Sequence, residues 1–128
     1  MSEILQVYGV MKDVSNPVYM CCYRHGDGEE MDKLFAEGGD MSRKLGYLSK
    51  ALGKQDFLLG KLSVVDFLMF EYLDLFSVLR PKFLDQWENL KGLKERFVAL
   101  PAIKAYRASD RFHASPFNGP TAKWNNTK

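Results

Sequence analysis

The chain has 128 residues, enough for one domain with a sizeable hydrophobic core and too few for two ordinary ones. An apolar content of 46% with 13% aromatic residues excludes a disordered chain, and a net charge of +2 gives no basis for indiscriminate nucleic-acid binding. The charge is unevenly placed: residues 1–79 carry 8 Lys/Arg against 12 Asp/Glu, and residues 80–128 carry 10 against 4. That asymmetry either steers an anionic ligand or partner toward the C-terminal half or marks a solvated basic surface.

In chain order, Ile4, Val7, Tyr8, Met11, Val14 and Val18 recur at helical spacing and predict a first helix over 1–26. Pro17 has no amide donor and disfavours helix at Asn16, so a kink or split is expected near it. A second helix is expected over 29–52, with Met31, Leu34, Phe35, Met41, Leu45, Leu48 and Leu52 inward, Gly38-Gly39 as its weak point and Gly53 as its C-cap.

The strongest local signal is Ser63-Val64-Val65-Asp66. Ser63 is placed to accept from the Asp66 amide while the Asp66 carboxylate reaches back to the Ser63 amide, with Leu62 and Phe67 as a hydrophobic staple. The helix it opens, 63–79, is apolar on almost every side and reads as the buried axis of a helical core. Asp66 is therefore expected to be a structural cap and not an acid catalyst. Leu90, Leu93, Phe97 and Leu100 predict a helix over 89–100, and Pro101 opens another over 101–109 with Ile103 and Tyr106 inward. Residues 112–128 read as an irregular tail pinned by Phe117 and Trp124. No segment alternates with period two, so the predicted fold is all-α, a five-to-six-helix bundle forming one domain over 1–128.

Met1-Ser2-Glu3 offers no basic, apolar leader, and the 63–79 segment is too short and carries Asp66, Glu71 and Asp74, so neither a signal peptide nor a membrane span is expected. Adjacent Cys21 and Cys22 would make a strained bridge; reduced thiols in the cytoplasm are the simplest reading. Metal binding is not expected. Cys21, Cys22 and His25 share a helix, but a structural zinc takes four ligands and the one other histidine is His113.

The order of elements, the cap in Gly60-Lys61-Leu62-Ser63-Val64-Val65-Asp66-Phe67, and the later motifs Pro81-Lys82-Phe83-Leu84-Asp85, Asn89-Leu90-Lys91, Arg96-Phe97, Ile103-Lys104-Ala105-Tyr106, Asp110-Arg111-Phe112 and Trp124-Asn125-Asn126 resemble the C-terminal helical domain of cytosolic glutathione transferases, mu class. The similarity is dense from Phe57 onward and thinner, though colinear, before Lys54.

The resemblance implies several roles. Tyr23 stands where that class points a tyrosine at the electrophilic substrate, and a phenol there would donate a hydrogen bond to a developing oxyanion. The alternative is a half-buried tyrosine with its hydroxyl at the surface. Asp13 matches an acidic residue that reaches the glutathione amino group across a dimer, although an exposed helical aspartate is commonly just solvated. Met20, Tyr23, Phe117, Asn118 and Gly119 are the expected substrate pocket, with core-covering tail as the competing role for the last three.

The family's thiol-activating, thioredoxin-like domain is expected to be missing, since the helical pattern starts at Met1. Two functions follow as expectations. One is a stand-alone module that binds a small hydrophobic ligand or a protein, as a homodimer or with a thioredoxin-fold or other partner. The other is the electrophile-binding half of a mu-like transferase, with glutathione as substrate and no tightly bound cofactor.

Overall fold

A computed structural model describes residues 3–114 and 117–125. Six α-helices follow in order: α1 (Glu3–Arg24), α2 (Glu29–Leu34), α3 (Asp40–Leu52), α4 (Val64–Leu79), α5 (Glu88–Ala99) and α6 (Pro101–Arg107), with a 3-10 turn at Phe83–Gln86 between α4 and α5. There is no strand among the described residues, and the fold is all-α. The two residues ahead of α1, Ser115, Pro116 and the last three residues lie outside the described part.

In α1, the buried positions Met11, Val14, Ser15, Val18, Cys21 and Cys22 repeat at three and four residues and form one face. Pro17 is exposed at the edge of this face, and of the expected kink or split the split does not occur: one helix runs through it. The carbonyl of Asp13 loses its usual amide partner there, but on a solvent-facing side water can take the bond.

The expected helix over 29–52 is two helices. α2 ends at Leu34 with the Phe35 amide donating to Met31 O at 3.2 Å, and Gly38 takes φ +76° before α3 begins. The break has a packing cause. It lets Phe35 leave the helical path and meet Phe83 edge-on at 4.8 Å and Phe76 at 5.8 Å, while Ser42 Oγ donates to the freed Ala36 carbonyl at 3.3 Å.

α4 packs against α1, α5 and the 3-10 turn, and Val65, Met69, Leu73, Leu75 and Phe76 on it are fully buried. Its start is the anticipated reciprocal capping box of Ser63 and Asp66. The carboxylate half is the better made: Asp66 Oδ2 accepts from Ser63 N at 2.9 Å, and Oδ1 accepts from Leu58 N at 3.0 Å. The second bond joins the preceding loop to the helix. α4 is not buried on every side, however. Val64, Phe67, Glu71 and Val78 form an open stripe, with Phe67 44% exposed. The ring of Phe67 packs edge-on against Phe97 at 4.8 Å.

α5 buries Leu90, Leu93 and Phe97, and Pro101 opens α6. α6 buries no residue at all, so Ile103 and Tyr106 do not point into the core. Both border a cavity instead.

Candidate functional site

The middle of the open stripe on α4, at Phe67 and Glu71, belongs to one wall of a cavity of about 440 Å³. Phe67, Phe70, Glu71 and Asp74 come from α4, Ile103, Tyr106 and Arg107 from α6, Tyr19 from α1, and Phe112, His113 and Phe117 from the segment after α6. The walls are aromatic with a charged seam. Arg107 places its guanidinium 4.5 Å from the Phe112 ring centroid and 5.5 Å from that of Phe70, and 3.9 Å from Asp74 Oδ2. Lys94 Nζ approaches Asp74 Oδ1 at 3.7 Å. Glu71 has no ion pair among the described residues; burial, and then the neighbouring Asp74 charge, push its carboxyl up, against the opposing pull of Arg107. Tyr19, edge-on to Tyr72 at 6.3 Å, has its phenol pushed up to about 12, first by burial and then by Tyr72 and Glu71.

The tail is held to the end of α1 by backbone bonds as well as by its rings. Gly26, in the left-handed region at φ +76° that favours glycine, closes α1 with its amide on Cys21 O and lies in contact with Lys123. Cys22 O then accepts from the amides of Lys123 at 2.9 Å and Trp124 at 3.1 Å. Tyr23 Oη accepts from the Gly119 amide at 2.8 Å, which leaves the phenolic proton available to a further acceptor. Asn118 is buried and donates through Nδ2 to Trp124 O at 3.0 Å, while Phe117 N donates to Asn125 Oδ1 at 2.7 Å. Phe117 and Trp124 stack with centroids 6.0 Å apart.

Of the five residues expected to form a substrate pocket, Phe117 lines the cavity, and Tyr23 and Gly119 are directly bonded. Asn118 is occupied in the tail's own bonding. Met20 lies elsewhere, half exposed in an open groove of about 360 Å³ with Pro17, Arg24, His25 and Glu30. Asp13 is exposed beside a cleft of about 100 Å³ shared with Lys33 and Asp40. Asp13 and Tyr23 are not brought to one pocket.

Other chemistry is muted. Cys21 and Cys22 are buried free thiols. Burial pushes the Cys22 thiol up to about 11, against a lowering bond from Asn118, and burial raises Cys21 also. Neither is an activated nucleophile. Among the described residues no group of three or more His, Cys, Asp or Glu is placed to hold a metal ion. A wider depression of about 570 Å³ runs beside Arg80 and Phe83, but the Arg80 guanidinium is already committed to Asp27 at 2.9 Å and to Asp32, and lies over the Phe35 ring. Among the described residues no helix is long and apolar enough to cross a membrane.

The family model for the glutathione S-transferase C-terminal domain matches residues 12–110. The chain belongs to this family. It is 36% identical over 115 residues to glutathione S-transferase Mu 1 of Macaca fascicularis, covering 89% of this chain and 51% of that protein. Glutathione S-transferase Mu 4 of Homo sapiens gives the same identity and coverage, and glutathione S-transferase B of Cavia porcellus is 37% identical over 115 residues, covering 89% and 52%. The chain thus spans about half the length of the curated relatives it matches.

The family match runs from within α1 past the end of α6 and takes in Tyr23, Glu71, Asp74 and Arg107. The last three, with Tyr19, are cavity residues that sequence reasoning passed over. A signal for two of them was present: Glu71 and Asp74 are carboxylates three residues apart on the most apolar helix of the chain, which marks the side of α4 that the core leaves uncovered.

Proposed function

We propose that this glutathione S-transferase C-terminal domain works in the cytoplasm as a binding and dimerisation module. It pairs through the first part of α1 and takes a small ligand in the cavity between α4, α6 and the tail. The observation that carries the reading is exposed apolar surface at the start of α1. Ile4, Leu5 and Tyr8 are 44%, 57% and 37% exposed on adjacent turns, and Tyr47 is 53% exposed on α3, the helix packed against α1. Exposed apolar surface of this kind marks an interaction site, and a second copy is the simplest occupant.

The second reading is that the chain supplies the electrophile side of a mu-like conjugation of glutathione. The Tyr23–Gly119 bond favours it: the backbone amide fixes the phenol oxygen and leaves its proton free to be donated to a substrate oxygen. The described residues bring no lowered-pKa thiol or cation cluster to Tyr23, which supports binding over conjugation.

Retention on glutathione-agarose and conjugation of a chromogenic aryl halide separate the two. The binding reading expects neither retention nor turnover above the uncatalysed rate. Saturable turnover that is lost in Tyr23→Phe would replace it with the transferase reading.

A further inference from the structure

The cavity has a polarity of its own. Its apolar lining is largely aromatic, and a cation already sits among the rings: Arg107 lies over Phe112 and Phe70. Aromatic faces present negative quadrupole density, so these walls suit a positive charge. Asp74 is shared by Arg107 and Lys94 at 3.9 and 3.7 Å. Glu71, on the same wall, has no ion pair among the described residues. The space beside it remains about 440 Å³ with Arg107 in place, enough for a bicyclic molecule.

We propose that this cavity is a binding site for a small aromatic amine, its ring stacked against the aromatic walls and its ammonium group paired with Glu71.

Charge complementarity decides against the other ligand classes. An anion would look to Arg107, which is already stacked on two rings and drawn to Asp74, and it would face the Glu71 and Asp74 carboxylates. A neutral aromatic would fill the space and cover the exposed Glu71 carboxylate without giving it a partner. An ammonium group supplies that partner and gains from the rings at the same time. The inference rests on the ligand-binding part of the proposed function and is independent of the dimer.

Three indoles of nearly equal shape test it: tryptamine (cation), tryptophol (neutral) and indole-3-acetate (anion), titrated into the full chain by calorimetry with amide chemical-shift mapping. Tryptamine is expected to bind about ten-fold tighter than tryptophol, the scale of one cation–π contact joined to one partly desolvated ion pair, with indole-3-acetate weakest. Shifts should centre on Glu71, Arg107 and Phe112.

Glu71→Gln should bring tryptamine down to the tryptophol affinity and leave tryptophol unchanged. Glu71→Lys should reverse the order, and melting curves of both variants report that they are folded. Tryptophol or indole-3-acetate binding as tightly as tryptamine would overturn the cation preference while leaving ligand binding intact. Failure of all three at millimolar concentration would overturn the site and the ligand-binding reading together. Unaltered tryptamine affinity in both folded Glu71 variants would remove the role given to that carboxylate.

Discussion

Asp66 shows how one side chain can organise a chain reversal. Fully buried, it holds the Ser63 amide at the start of α4 and the Leu58 amide in the loop before it. Removing the carboxylate leaves the buried Leu58 donor and the half-buried Ser63 donor without their acceptor, at about 1–3 kcal/mol for the first and less for the second. Asp66→Ala is therefore expected to lower unfolding free energy by about 2–4 kcal/mol, more than a single surface cap, and Asp66→Asn by about half as much, since one acceptor survives. Urea unfolding measures both. A loss below about 1 kcal/mol for the alanine variant would mean the cap is dispensable.

Tyr19 and Cys22 carry a pH signature at the same scale. The Tyr19 phenol rises from 10.0 to about 12 and the Cys22 thiol from 9.0 to about 11, burial leading in both. The folded chain then keeps protons that the unfolded chain releases. Stability contributed by these groups is whole below about pH 9 and is lost as pH rises toward 12. Denaturation midpoints should fall across that window, and Tyr19→Phe should flatten the part above pH 10. An identical profile in that variant would contradict the assignment. Both thiols should also alkylate slowly in the native state at pH 7 and rapidly in urea.

Elements were legible where their signals are local. The α4 cap, the all-α class and the family motifs rest on residues within a few positions of one another, and α4 starts where the Ser63–Asp66 pattern puts it. The division between α2 and α3 was less legible. Gly38-Gly39 hinted at it, but the break is driven by Phe35 reaching Phe83 and Phe76, contacts more than forty residues away in the chain. A helical period over 29–52 cannot encode that. At Pro17 the local signal and the packing pull in opposite directions: the proline does not end the helix, because α1 is anchored by Met11, Val14, Val18 and Cys21. Pro17→Ala, which restores an amide donor at an exposed position, should thus stabilise the fold by about 1–3 kcal/mol. An unchanged or lowered melting temperature would show that the proline shapes α1 in some needed way.

Asn89 ties two such elements together. Its Nδ2 donates to Ser49 O at 2.7 Å and Gly53 O at 3.1 Å, carbonyls at the C-terminal end of α3, while Ser49 Oγ donates back to Oδ1 at 2.6 Å. Asn89→Ala should cost about 1–3 kcal/mol, and Asn89→Asp nearly as much, because a carboxylate cannot donate to those carbonyls. An aspartate variant as stable as the parent would show that the bonds from Nδ2 contribute little.

For the whole molecule, the site was the least legible part. Phe117, Tyr23 and Gly119 were identified through the resemblance, and the Tyr23–Gly119 bond does join the end of α1 to the tail. The cavity itself is assembled from α1, α4, α5, α6 and the segment beyond, so no spacing in the sequence states which side of α4 the core will leave open. Met20 shows the same limit: three residues before Tyr23, it turns to a different groove.

The start of α1 carries the central claim, that this domain acts through a partner held on exposed apolar surface. Sedimentation equilibrium of the full chain tests it most directly. A species of twice the 14.7 kDa chain mass is expected at micromolar concentration, dissociating in Leu5→Glu and Tyr8→Glu while their melts remain cooperative. A single 14.7 kDa species across the whole concentration range, unaltered by either substitution, would contradict it.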